Sequence, residues 1–192
     1  MSDERASPDS QEDWALLFES ARGNDDAFAR LVERHQQKLL NFFLRSGAKH
    51  HAEDLVQETF LRLYRHRKRA KPLARFTTYL HTLGHHVWLD HVRRQSRFAR
   101  LLMRAAPEFN EIDCASANRP PVSMDADSLL GLLSPDHREA VVLVVYQGMA
   151  YHEAAEILGV PVGTVKSRVS IALSRIRAAL RATHRGEKLH GS

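Results

Sequence analysis

The sequence predicts an all-α chain: two small helical domains joined by a flexible linker, the C-terminal one carrying a helix-turn-helix. Three observations predict it. Apolar residues recur at helical spacing almost throughout, and no period-two strand pattern is sustained. That rhythm fails once, between about residues 99 and 127, where Pro107, Asn110, Asn118, Pro120 and Pro121 gather among small and acidic side chains. At 192 residues and 43% hydrophobic, the chain suits one or two packed domains and excludes a large multidomain enzyme. The boundaries read as 1–98, a linker over 99–127, and 128–192.

A short first helix includes Trp14, Leu17 and Phe18. After Gly23, Asn24 or Asp25 can cap a second helix that puts Phe28, Leu31, Val32, His35, Leu39, Phe42 and Phe43 on one face. It ends near Ser46-Gly47, where glycine suits a left-handed terminal residue. A third helix spans about 51–67 and packs through Leu55, Val56, Thr59, Phe60 and Leu63, with Glu53 and Asp54 in its first turn. Pro72 marks a loop over 68–75, and a fourth helix follows over about 76–98. Beyond the linker, Ser134-Pro135 opens a helix in cap-then-proline order. It contains the run Val141-Val142-Leu143-Val144-Val145, whose length and flanks favour a buried helix over a strand. Two more helices occupy about 151–158 and 162–182.

Composition removes several classes of function. No apolar run approaches the ~20 residues that span a bilayer, and the acidic start Met1-Ser2-Asp3-Glu4 does not resemble a signal peptide. The lone Cys114 excludes an intramolecular disulfide and a Cys-rich zinc site. The expectation is a cytoplasmic protein without membrane insertion. The net charge of +5 is unevenly spread. Twelve Lys/Arg face one acid between Arg62 and Arg104, whereas residues 105–139 hold seven acids and two arginines. From Gly159 onward there are seven basic side chains and only Glu187. Two basic blocks around an acidic segment suggest two contacts with one polyanion.

The stretch Tyr151-His-Glu-Ala-Ala-Glu-Ile-Leu-Gly-Val-Pro-Val-Gly-Thr-Val-Lys-Ser-Arg168 fits a helix-turn-helix. Ala155 is small where two helices cross, and Gly159 permits a positive φ in the turn. Ile157, Leu158, Val160, Val165 and Val169 supply the apolar contacts. Thr164, Lys166, Ser167 and Arg168 are left to meet phosphates or base edges. In the first domain, Arg67-Lys68-Arg69-Ala70-Lys71 precedes a helix with Phe76, Tyr79, His85, His86, Trp88, His91, Arg93 and Arg94. Aromatic rings among cations suit single-stranded nucleic acid. Phe76, Tyr79 and Trp88 fit a core equally well.

Together the halves resemble a bacterial RNA polymerase sigma factor of the extracytoplasmic-function (ECF) class. The matching residues are Ala52-Glu-Asp-Leu-Val-Gln-Glu-Thr-Phe60, Tyr79-Leu80 with Asp90-His-Val-Arg-Arg94, Leu133-Ser-Pro through Gly148, and Gly159 through Arg168. The resemblance implies that Asp54, Gln57 and Glu58 meet the β′ clamp helices of core RNA polymerase, with a second contact at the β flap. It implies that Lys68, Lys71, Phe76, Tyr79, His86, Arg93 and Arg94 capture and melt the −10 element of promoter DNA. Thr164, Lys166, Ser167 and Arg168 would read the −35 element, and an anti-sigma factor would regulate the whole. No catalytic residue, metal or cofactor is implied. Tyr79 stands where the family usually has tryptophan, His86 where it often has asparagine, Ile171 where an arginine is frequent, and Ala150 where a serine cap is usual. These departures blur the promoter sequence. The alternative is a regulator that binds duplex DNA through its helix-turn-helix without the polymerase. A metal sensor is a weaker rival: His81 and His85 are spaced i, i+4 but have no acidic ligand patterned beside them.

Overall fold

The computed structural model describes residues 8–105 and 126–187, all of whose elements are helices or turns. Four helices build the first domain: α1 (Pro8–Ala21), α2 (Asp25–Ser46), α3 (Ala52–His66) and α4 (Phe76–Ala105). Asn24 caps α2, its side chain accepting from the Ala27 N–H at 3.2 Å, and Gly47 ends it at φ 111°. Leu31, Leu39, Phe42 and Phe43 of α2 are fully buried, as the helical spacing predicts. A short 3-10 turn, Arg67–Arg69, leads from α3 into the loop before α4.

Polar groups fix how α1 sits on this bundle. The Ser10 hydroxyl accepts from the Phe76 N–H at 2.9 Å, so α1 supplies a cap for α4 from a distant part of the chain. The Trp14 indole N–H donates to the Ala74 carbonyl at 3.1 Å. Its ring lies 5.5 Å from Phe76 and 5.2 Å from Tyr79. Asp13, nearly inaccessible, meets His35 at 2.8 Å and Arg34 at 2.7 Å, tying α1 to α2.

The second domain contains α5 (Ala126–Gly131), α6 (Pro135–Val141), α7 (Tyr151–Leu158) and α8 (Val162–Glu187). The valine-rich run is helical, continuing α6 as a π turn over Val142–Tyr146, with Gln147 N–H donating to Val142 O at 2.9 Å. Val141, Val142 and Leu143 are buried.

Three local expectations are corrected. The fourth helix does not stop near residue 98 but runs to Ala105, and α5 begins at Ala126, so helix covers both ends of the expected 99–127 linker. The segment from 92 to 101 is exposed throughout, so helix propensity without Gly or Pro carries α4 onward where no buried face marks it. Ser134 occupies the cap position before Pro135, but its hydroxyl bonds the His137 ring and not a backbone N–H. The middle of the expected linker, including Cys114, lies outside the described residues.

The two sequence halves do not stand apart. Helix α7 packs along α4, and the π turn meets α2, where Gln147 Nε2 donates to Lys38 O at 3.1 Å and the Arg45 guanidinium lies 4.0 Å from the Tyr146 ring centre.

Candidate nucleic-acid interface

The turn between α7 and α8 is built as the sequence requires. Gly159 adopts φ 64°, and the Val160 N–H returns to Ala155 O at 3.1 Å, closing α7. Ala155, Ile157, Val165, Val169 and Ala172 are buried between the helices and fix their crossing. At the start of α7 only half of a capping box exists. The Ala150 N–H donates to Glu153 Oε2 at 2.9 Å, but alanine has no side-chain acceptor to return the bond.

On α8, Lys166 and Ser167 are exposed and Thr164 is half-buried. Ser167 Oγ donates to Thr164 O at 2.9 Å, and Lys166 Nζ lies 5.9 Å from the Tyr151 ring centre. Arg168 is already engaged: its guanidinium meets Asp136 of α6 at 2.8 Å. Ile171, one turn beyond Ser167, is 45% exposed and adds an apolar spot to a polar face.

In the first domain, Lys68, Lys71, His86, Arg93 and Arg94 are exposed. Tyr79, His86 and Arg93 recur at seven-residue intervals, so they follow one side of α4 for about 21 Å. Tyr79 is half-buried against Trp14, and burial raises its phenol pKa, which keeps it a neutral donor. Phe76 is a correction. It is fully buried beneath Trp14 and His35, so its ring serves the core and has no face for a base.

The acidic residues of α3 divide in the same way. Asp54 and Gln57 are exposed. Glu58 accepts from Arg62 at 2.8 Å, and Arg62 reaches on to Asp90 of α4 at 3.0 Å, a bridge that holds the two helices together. Asp54 and Glu58 share a groove of about 530 Å³ with His51, His91, Arg94 and Phe98. The resemblance implies different ligands for Asp54 and Arg94, yet the fold sets both along one α3–α4 edge. It also stacks His91 on Trp88, with ring centres 5.8 Å apart, and brings His51 within 4.8 Å of His91. Trp88 and His91 are i, i+3 neighbours that helical spacing pairs, but no spacing rule links His51 to His91 or Asp54 to Arg94, and those juxtapositions escape a linear reading.

The i, i+4 histidines are neither solvated nor DNA-facing. Both are buried where the domains meet, and burial, with nearby charge acting in the same direction, pushes each down to about pKa 4. His81 Nδ1 lies 2.8 Å from Thr77 O. His85 Nδ1 lies 3.5 Å from Glu139 Oε2, an acidic neighbour supplied by the other domain.

Residues 31–98 match the family model for Sigma-70 region 2, and residues 123–176 match that for Sigma-70, region 4. The ECF RNA polymerase sigma factor SigE of Mycolicibacterium smegmatis is 37% identical over 82% of this chain, which spans 62% of that protein's length. The probable RNA polymerase sigma-C factor of Mycobacterium bovis is 32% identical over 92% of this chain and 94% of its own. Among solved structures, the sigma factor RpoE in complex with the anti-sigma factor NepR from Bartonella quintana superposes with a TM-score of 0.64. It is 27% identical, over 80% of this chain and 96% of that one. With a region 2 domain, a region 4 domain and kinship to these sigma factors along most of its own length, the chain belongs to the ECF class of RNA polymerase sigma factors, which direct core polymerase to promoters.

Proposed function

We propose that the two domains divide promoter recognition between them. The side of α4 carrying Tyr79, His86 and Arg93, with Arg94 beside it and Lys68 and Lys71 in the preceding loop, takes the unpaired −10 strand. Bases stack on or insert beside the rings while the cations follow the phosphates. Helix α8 enters the major groove of the −35 element with Lys166, Ser167 and Arg168 foremost and Thr164 behind. Asp54 and Gln57 on α3 meet the β′ clamp helices of core polymerase. Glu58 acts through Arg62 to hold that face in place, and the second domain adds a contact at the β flap.

The factor itself makes and breaks no covalent bond. It lowers the cost of strand separation by binding the separated strand better than the duplex. Unstacking a base costs a few kcal/mol, recovered in the stacking and phosphate contacts. Its place is the cytoplasm, in keeping with the fact that no described helix is long and apolar enough to cross a membrane. Control by an anti-sigma factor is supported by the likeness to a sigma factor solved with one.

The observation that carries this reading is the pairing, in one chain, of an exposed cation-and-ring stripe on α4 with a helix-turn-helix. A duplex-only regulator needs the second and leaves the first idle. The salt dependence of open-complex formation with core polymerase tests it. Replacing Arg93 and Arg94 with alanine removes two single-strand phosphate contacts. It should make the fall of log K with log salt shallower by about 1.4, roughly 0.7 per contact. Equal slopes for variant and parent would exclude these arginines from the melted strand.

A further inference from the structure

The basic stretch before α4 does not present its cations alike. Lys68, Arg69 and Lys71 are exposed, whereas the Arg67 side chain turns back into the domain and is half-buried. Its Nε donates to the Ser20 carbonyl in the last turn of α1 at 3.2 Å, and its Nη1 donates to the Tyr64 carbonyl in the last turn of α3. Its guanidinium carbon lies 3.4 Å from the centre of the Tyr64 ring. That ring is itself held: its hydroxyl donates to Asp25 Oδ1 at 3.2 Å, and it meets Phe28 edge to face with centres 5.0 Å apart. The last carbonyls of a helix lack their ordinary partners and carry the negative end of its dipole. One guanidinium therefore closes two helix ends at once, with donors set in a plane that an ammonium group cannot reproduce.

The far end of the loop is held by the same first helix. Ala74 O accepts from the Trp14 indole N–H at 3.1 Å, and the Phe76 N–H donates to the Ser10 hydroxyl at 2.9 Å. Between these anchors the chain turns sharply at Pro72, where the Leu73 N–H reaches the Lys71 carbonyl at 2.9 Å. This three-residue turn suits the fixed φ of proline. Leu73, next in the chain, is 76% exposed. Helix α1 lies outside residues 31–98, the part that matches region 2, yet it holds both feet of the loop.

We infer that Arg67 is a positioning residue: it meets no DNA, and it fixes the foot of the loop against α1 and α3 so that Lys68 and Lys71 face the unpaired −10 strand in one arrangement. The inference rests on the division of promoter recognition proposed above. Without the anchor the neighbouring cations remain, but they must be ordered on binding, and that ordering is lost affinity. The two roles open to Arg67 make different chemical demands. A phosphate contact needs a positive charge, which lysine supplies as a point charge. An anchor needs the planar fork that bonds two carbonyls while lying on a ring, and lysine cannot replace it.

The test uses the full chain bound to core polymerase, with a fork template from a promoter that this holoenzyme transcribes: duplex through the −35 element, single-stranded across the −10. Arg67→Ala and Arg67→Lys should each weaken fork binding about five- to tenfold. Lys68→Ala should weaken it too, while Lys68→Arg should bind like the parent. A duplex that stops upstream of the −10 element should bind all of these holoenzymes equally. A spin label at Leu73→Cys, with Cys114→Ser to keep labelling specific, reads the loop itself. Its spectrum should sharpen in Arg67→Lys while circular dichroism stays that of the parent. Parent-like fork binding by Arg67→Lys would make Arg67 an ordinary phosphate contact and overturn the inference. An unchanged label spectrum, or a loss shared equally by the upstream duplex, would overturn it as well. If Lys68→Ala weakens fork binding and Arg67→Lys does not, the anchor alone falls. If Lys68→Ala and the doubly substituted Arg93, Arg94 variant both bind the fork like the parent, the division of recognition falls and takes the anchor with it.

Discussion

Replacing Asp13 with alanine should destabilise the first domain by about 3–5 kcal/mol, the usual consequence of removing one partner from a buried ion pair. His35, itself only 3% exposed, would lose its carboxylate partner, and Arg34 would keep only its exposed contact to Glu12 at 2.9 Å. Urea denaturation followed by circular dichroism measures the change; a loss below 1 kcal/mol would show that the contact is dispensable. The same group sets an acid limit. Burial pushes the Asp13 carboxyl up, but hydrogen bonds and charge from His35 and Arg34 bring it below the ordinary aspartate value of 3.8. A carboxylate depressed in the folded state adds stability that is fully present above its unfolded pKa and lost as pH falls through the folded one. The Asp13 contribution should therefore hold at neutral pH and fade only below about pH 4, and the parent and Asp13→Ala midpoints should converge there.

Arg168→Ala should weaken binding to the upstream promoter element by about 1–3 kcal/mol and relax its sequence preference. Asp136 sharpens this expectation. It holds the Arg168 guanidinium at 2.8 Å while remaining 68% exposed at its side chain, so DNA must compete with a solvated, weak ion pair. Asp136→Asn should then strengthen duplex binding in the presence of Arg168 and have little effect in its absence. A double-mutant cycle on a duplex carrying the upstream element reads the coupling. Unchanged preference in Arg168→Ala would move the reading surface away from this part of α8.

Much of this was legible in the sequence because local rules and tertiary packing agree there. Asn24 and Gly47 end α2 as their chemistry demands, and Gly159 takes the positive φ that the turn between α7 and α8 requires. The valine-rich run is helical because its length and flanks outweigh β-branching. Legibility fails where burial ceases to mark structure. The exposed end of α4 has no apolar face to count, and the six-residue α5 is too short to show a period. At the site, charge and spacing locate Lys68, Arg93 and Lys166, but they cannot distinguish an aromatic ring in the core from one facing solvent. Phe76 and Tyr79 look alike in sequence and differ in the fold because Phe76 sits under Trp14 and His35, whereas Tyr79 lies beside Trp14 and stays half-buried. The pairing of Glu139 with Trp88 and His85 is longer-range still, and only the docking of the two domains reveals it.

The most direct measurement is transcription from a randomised promoter library by purified core polymerase, with and without this protein. The account predicts transcripts that depend on the protein and share two sequence elements, with Arg168→Ala altering the upstream element alone. Transcripts indifferent to the protein, or tight binding to one fixed duplex without any polymerase, would contradict it.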